Sequence, residues 1–446
     1  MTARVGIVGG GILGMTLARR LRAAGHAVTV LEAAPSAGGL LASHELGGPR
    51  WDKFYHVVLP QDETLLALLD ELGLTSELEW RPTRTGFFVD GQWHSLSTSW
   101  DYLRFPPLGL LDKARLALTI LRAAAQRDGR SLESIPVGEW LERWSGTATY
   151  RRIWLPLLKS KLGDNYRQTS AAFIWSYIRR LYRARASADK RERLGYVRGG
   201  YARVLDRLEA DLRERGVTIQ VGVRVAEVRR RDDVEVVAED GTIHRFDHVV
   251  LTVPTPVVAR ICPALDAAER ARLGQVVYQG VVCLSVLTRE PLAGYYVTNI
   301  TDDWVPFTTV VEMTSLVDPA HFDGNSLLYL ARYVSRTDPW ATRGDAEITT
   351  EFLGALERMF PGFRRDQVLA TRMARATDVQ ALSTIDYSAT ALPPLTTSVP
   401  GVLVLNTAQI VNGTLNVNET VNLVERHLPE ILGRLTASPT PALAAV

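Results

Sequence analysis

Cysteine is scarce in this sequence: Cys262 and Cys283 are the two in 446 residues, and they show no Cys-x-x-Cys spacing. That excludes a disulfide framework and a cysteine-built zinc site, so no metal centre is expected. It leaves a reducing cytoplasm as the expected compartment, with both thiols serving as buried apolar side chains. One-sided charge is missing as well. Lysine plus arginine total 51 against 49 for aspartate plus glutamate, a net charge of +2, and nothing in that balance points to nucleic acid. No uninterrupted apolar stretch reaches the length of a membrane span. The first strand signal begins at Arg4, which leaves no room for a signal peptide. Internal repeats are absent.

What the chain does have is length and apolar content. At 446 residues and 46% hydrophobic it exceeds one ordinary core, and two domains are the natural reading. The densest signal lies at the start. Arg4 to Val8 reads as a short buried strand, Ile12 to Ala24 as a helix and Ala27 to Leu31 as a second strand ending in the acid Glu32. Between the first strand and the helix stand Gly9, Gly11 and Gly14, the three glycines of Gly-x-Gly-x-x-Gly. Gly9 permits the tight turn, Gly11 lets the backbone approach a pyrophosphate and Gly14 lets helix and strand pack closely. The N–H groups of Ile12 and Leu13 at the helix start face the phosphates, and Glu32 is placed to bond ribose hydroxyls. Strand, turn, helix, strand and acid in register predict a bound dinucleotide.

The residues after Glu32 point to FAD. Ala33 to Ser43 make a turn and then the pair Gly38-Gly39 followed by Leu40. This resembles the second flavin signature of the amine oxidase, protoporphyrinogen oxidase and phytoene desaturase superfamily. Family chains often carry an arginine beside these glycines; here the neighbours are Ala37 and Leu40, which leaves the phosphate contacts to the backbone. Gly199-Gly200 and Val225 resemble the family segment in which a helix leads to a strand whose valine backbone meets the adenine. Leu251 to Pro254 resembles the strand that returns to the nucleotide domain. Near the C terminus these flavoproteins usually place Gly-Asp, the acid binding the ribityl chain. Here the strand Val402 to Leu405 runs into Asn406-Thr407-Ala408-Gln409-Ile410, an ending similar to that of a bacterial protoporphyrinogen oxidase-like branch related to UDP-galactopyranose mutase. Asn406 stands where the acid would be, and Asn416 and Asn418 precede the helix that the family aims at the flavin; their alternative role is to cap it.

The resemblance implies an α/β fold, with a Rossmann-like FAD domain assembled from 1–60, 194–258 and 385–435. A substrate domain of mixed sheet and helices is inserted as 61–193 and 259–384, and a Pro/Ala/Ser-rich tail at 436–446 reads as disordered. Within the inserts, Asp62 to Leu72, Leu110 to Arg127 and Val137 to Trp144 carry helical spacing. Gly86 to Ser95 reads as a hairpin turning at Asp90-Gly91, and Gln279 to Leu287, Val305 to Met313 and Ser326 to Val334 read as strands. The segment Phe105 to Ala125 has an apolar face that either docks peripherally on a bilayer or packs on the sheet; Asp112, Lys113 and Arg115 interrupt it and favour packing.

For chemistry, His56 leads: it follows the double glycine in Trp51-Asp52-Lys53-Phe54-Tyr55-His56, where family chains pass along the flavin ring. UDP-galactopyranose mutases carry a histidine-containing stretch at a similar point. An imidazole there can move a substrate proton, or it can simply pack beneath the ring. Tyr55 and Trp51 are candidate pocket walls, with Tyr55 also a candidate proton carrier. Glu312, an acid at the end of an apolar strand, becomes a useful acid or base if buried. Arg332-Tyr333 offers a cation and a phenol for a carboxylate or phosphate, or forms a surface pair, and the arginine run Arg179 to Arg193 suits an anionic, sugar-linked ligand or a membrane surface, or serves as a solvated face. The leading expectation is an FAD-dependent oxidoreductase, of oxidase or desaturase type, that passes hydride from a small molecule to the flavin. The rivals are a redox-neutral flavoenzyme acting on a nucleotide sugar and a non-catalytic FAD-binding protein.

Overall fold

The computed structural model describes residues 2–184 and 193–436; the 436–446 tail beyond Thr436 and most of the arginine run lie outside them. Five short apolar strands form a parallel sheet in the order Val402–Val404, His248–Leu251, Arg4–Val8, Ala27–Glu32 and Thr218–Val221. A parallel sheet is covered on both faces, which is why these strands are nearly continuous valine, isoleucine and leucine. Alternate residues go to opposite sides. Val5, Ile7, Val28 and Val30 pack with Leu17, Leu208 and Val424 from the helices Ile12–Ala23, Gly200–Glu214 and Val417–Thr436. Val8, Leu31, Val249 and Leu251 pack instead with Val228, Val236 and Phe246 of a three-stranded antiparallel sheet. Arg19 of the first helix, almost fully buried, pairs with Asp211 at 2.9 Å and with Glu71, while Arg20 reaches Glu425 at 2.7 Å. These pairs lock the first helix to the elements around it.

The second unit is a seven-stranded sheet in the order Val368–Ala381, Tyr278–Thr288, Ser326–Val334, Thr309–Glu312, Val297–Ile300, Thr85–Val89 and Gln92–Ser95. One face, with Val282, Leu284, Leu328 and Leu330, is covered by Ile348, Phe352 and Leu356 of the helix Asp345–Met359. The other face, with Val281, Cys283, Tyr329 and Ala331, is covered by Trp51, Tyr55 and Leu59 from the segment that leaves the nucleotide sheet. Both cysteines are buried and unbonded. Four helices, Leu110–Ala125, Val137–Ser145, Leu155–Leu162 and Ala171–Ala184, form a separate layer.

The expected hairpin is present, with Asp90 and Gly91 both at positive φ between Thr85–Val89 and Gln92–Ser95. The strand expected over 305–313 starts only at Thr309. Val305 N–H closes a turn on Asp302 O, and Pro306 has no N–H to give a ladder. The helix Leu110–Ala125 packs through Leu116 against Phe87 and Val89 of the sheet, with Thr119 and Ala123 also inward and Lys113, expected to interrupt the face, buried as well, whereas Leu110, Leu111, Leu118 and Leu121 stay exposed. Among the described residues no helix is long and apolar enough to cross a membrane.

Candidate active site

The turn after the first strand is shaped by what its glycines would meet. A Cβ on Gly14 would lie 2.0 Å from Gly9 O, and one on Gly9 would lie 2.6 Å from Thr252 Oγ1 with φ at +115°, so both positions demand glycine for packing. Gly11 is different: its backbone is extended and a Cβ there would meet nothing within 4 Å. It is the open side of the turn. Gly38 N–H donates to Gly10 O at 2.8 Å, which sets the double glycine beside the first turn. The first intrahelical bond runs from Met15 N–H to Gly11 O, and no side chain caps the helix, so Ile12 and Leu13 present backbone donors at its positive end. Glu32 accepts from Gly10 N–H at 2.6 Å and from Ala34 N–H at 2.8 Å, and each carboxylate oxygen keeps a lone pair for a hydroxyl. Val225 opens the strand Val225–Arg230, and nearby Val223 N–H bonds Glu32 O at 2.9 Å. Uncapped donors, an open glycine and an acid at the second strand's end fit a dinucleotide diphosphate and ribose. Gly39 and Leu40 continue from there into a cavity of about 640 Å³ whose far wall is Arg372 to Ala376 of the seven-stranded sheet.

The three asparagines at the other end of the cradle are held by protein groups. Asn406, fully buried, donates its amide to Val253 O at 3.0 Å and accepts from Ala408 N–H at 3.0 Å, closing the turn Thr407–Gln409. Asn416 accepts from Glu419 N–H at 2.9 Å and caps the helix Val417–Thr436. Asn418 accepts from Leu65 N–H at 3.0 Å, capping the helix Glu63–Glu71 from outside. Asn416 thus caps the helix as expected, whereas Asn418 lies inside it, the helix starting at Val417, and caps a different one; any bond from the three asparagines to a cofactor is additional to these.

Tyr55 and His56 sit where the two units meet. Tyr55 and Tyr333 join hydroxyl to hydroxyl at 2.7 Å, and burial raises both phenols above the ordinary tyrosine range, so the pair is neutral. His56 packs edge-on against Tyr201 at 5.4 Å. Burial lowers its imidazole to about 4, the Phe54 backbone only partly offsetting it, and its Nδ1 has no hydrogen-bond partner. The ring is a neutral acceptor at physiological pH. Glu312 does not join this group. It shares the parity of Val310, whose side chain packs on the opposite sheet face from Val311, and its oxygens take the N–H groups of Leu292, Ala293 and Gly294 at 2.8 to 3.2 Å. Trp51 lies in the core against Phe322 at 4.9 Å rather than on a cavity wall. Arg180, from the arginine run, pairs with buried Asp62 at 3.0 Å, and Arg332 lies over the Trp340 ring at 4.4 Å.

Two residues of this region carry no sequence signal. Lys161 places Nζ 4.1 Å above the Tyr177 ring and 5.0 Å above Tyr333. Nothing in the string Leu157 to Leu162 separates it from Lys159, which is exposed. Gln279, 3% exposed, has no partner for Oε1 and lines a cavity of about 750 Å³ together with Tyr333.

Comparison with known proteins bears on this arrangement. The model of a family described as flavin containing amine oxidoreductase matches residues 14–402. A protein of Mycobacterium tuberculosis named as a flavin-containing monoamine oxidase is 27% identical over 247 residues, 52% of this chain and 52% of that protein. The chain thus spans about half the length of the curated relatives it matches first. A 15-cis-phytoene desaturase of an Oncidium hybrid is 22% identical over 380 residues, 80% of this chain and 64% of the other. A solved structure described as protoporphyrinogen oxidase from Exiguobacterium superposes with a TM-score of 0.75 at 19% identity, covering 97% of this chain and 99% of that one. Reduced UDP-galactopyranose mutase does so with 0.72 at 15%, covering 98% and 100%. At these identities the structural likeness establishes the fold.

Proposed function

The chain belongs to the family of flavin-containing amine oxidoreductases, with FAD as its cofactor, and from that membership we propose that it is an oxidoreductase taking hydride from a carbon of a small-molecule substrate. The observation that carries the reading is the cavity that continues from the Gly38-Gly39 turn and has the second sheet as its far wall. That is where two units must meet if one binds a dinucleotide and the other positions what it oxidises. FAD, when bound, supplies the hydride acceptor. The chain's own part is to hold and to exclude. Gly11, Ile12, Leu13 and Gly39 would receive the diphosphate through backbone donors, and Glu32 the ribose. The buried Tyr55–Tyr333 pair keeps water away from the reacting face and holds a proton between two phenol oxygens. His56, neutral, is suited to accepting a proton and not to donating one. The two unbonded cysteines support a cytoplasmic setting.

The redox-neutral reading uses the same cradle, and the buried ammonium of Lys161 favours it by suiting an anionic sugar derivative. The two are separated by reducing the purified protein with dithionite under anaerobic conditions and admitting air. Rapid return of the oxidised flavin band supports an oxidase, and a reduced flavin that persists in air supports the redox-neutral enzyme or an oxidoreductase with a different electron acceptor.

A further inference from the structure

The helix Leu110–Ala125 has two apolar sides, and the fold covers one of them. Leu116 packs with Phe87, Val89, Phe105 and Leu108, which fixes the helix on the seven-stranded sheet. At about 100° of turn per residue, Leu110, Leu121, Ala114, Leu118 and Leu111 fall on a different arc roughly 100° wide, with Arg122 and Arg115 along one edge and Asp112 on the far side of the helix. The four leucines of that arc are 52% to 80% exposed. The short helix Ser99–Arg104 adds Trp100 and Leu103, both more than half exposed. Buried Lys113 ties the two helices together by donating to Leu103 O at 2.7 Å, and the Tyr102 hydroxyl donates to Lys113 O. Among the described residues, six of the eleven exposed large apolar side chains therefore fall between 100 and 121. Single exposed leucines are ordinary, but a concentration of them on one face marks a surface that something covers.

Charge says what covers it. Arg104 lies over the Trp100 ring at 4.4 Å, Arg122 over the Trp144 ring at 3.8 Å, and Arg115 is exposed beside the leucines. Among the described residues no aspartate or glutamate pairs with any of the three. Asp101, the acid of the short helix, is taken up by the Ser95 hydroxyl and the N–H groups of Ser97 and Thr98. A second copy docked by the same face would bring these guanidiniums together with no carboxylate between them. A layer of anionic headgroups over acyl chains complements both features: the leucines enter the apolar boundary while the arginines reach the phosphates and the tryptophan sits at the interface. We propose that Trp100, Leu103 and the uncovered side of Leu110–Ala125 dock the protein on an anionic phospholipid surface. No described helix is long and apolar enough to cross a membrane, so this docking is peripheral. It goes beyond the flavoenzyme reading and does not depend on it.

The test is flotation of the full chain, supplied with FAD, on vesicles of phosphatidylcholine alone and of equal parts phosphatidylcholine and phosphatidylglycerol, with its mass in solution followed by light scattering. Wild type is expected to float with the mixed vesicles and to bind the neutral ones at least about tenfold more weakly, the difference shrinking as salt is added. Leu111→Glu combined with Leu118→Glu is expected to weaken binding to the mixed vesicles by about tenfold or more. Arg104→Gln combined with Arg115→Gln is expected to bring the mixed vesicles down towards the neutral ones. All of these side chains are exposed, so flavin content and circular dichroism should match wild type, which separates lost docking from lost folding. No binding to the mixed vesicles, equal binding to both kinds, or binding that survives the paired glutamates overturns the proposal. So does a wild-type dimer that the glutamates dissociate while vesicles stay unbound, since a second copy then covers the face.

Discussion

Asp52 and His56 lie close in sequence and titrate in opposite senses. Burial raises the Asp52 carboxyl to about 7, although the N–H groups of Tyr201 and Ala202 at a helix start pull it down. The folded state therefore binds this proton more tightly than the unfolded one. The resulting stabilisation is complete below the ordinary value of 3.8 and is lost as pH rises through about 7. His56 is depressed to about 4 from 6.5, so its contribution is present above 6.5 and is lost as pH falls towards 4. Unfolding curves measured across this range should show Asp52→Asn losing less stability than wild type as pH rises, and His56→Gln losing less as pH falls. At the level of turnover, His56→Ala should keep its flavin and slow the reaction by about 100-fold, the scale of lost proton transfer. The pH–rate profile should show no histidine inflection between about pH 6 and 8, because the ring stays neutral there.

Helices and strands were legible where their demands are local. The first strand, its glycine turn and the first helix depend on backbone geometry within a short stretch, so spacing alone located them. Asn406, read as standing where the family's ribityl-binding acid would be, is a different matter. Asn406 spends its amide on Val253 and Ala408, and the partner 153 positions earlier leaves no trace in the string around it. Similarly, Leu110–Ala125 reads as a helix from periodicity, but with leucines on both sides only the packed layer decides which face is covered. Asn416 was recognisable as a cap because the residue type and position suffice. Asn416→Ala should lower stability by about 1 kcal/mol in chemical denaturation, the usual cost of a lost N-cap.

At the scale of the whole molecule, the two units are joined by buried polar contacts as well as apolar ones. Tyr329 hydroxyl donates to Asp52 O at 2.7 Å, and Arg180 of the helical layer pairs with fully buried Asp62, ahead of the helix Glu63–Glu71. Removing one member of such a pair strands the other. Arg180→Met should destabilise by about 3 to 5 kcal/mol, and adding Asp62→Asn should recover part of it, as a double-mutant cycle by denaturation would show. The meeting of the units follows from family resemblance, but contacts such as Tyr329 to Asp52 do not, because residues 277 positions apart are brought together only by long-range burial. All of this rests on FAD in the glycine cradle, and Gly11 offers the cleanest access to it. Its backbone accepts any residue and its Cβ direction is empty, so Gly11→Asp should leave the fold intact while placing a carboxylate against the diphosphate. The decisive measurement is flavin content alongside circular dichroism for wild type and this variant. Wild type should carry about one FAD per chain and the variant should have the same dichroism with almost none. A wild-type protein that takes up no FAD when supplied with it, or a variant that retains the full complement, would contradict the account.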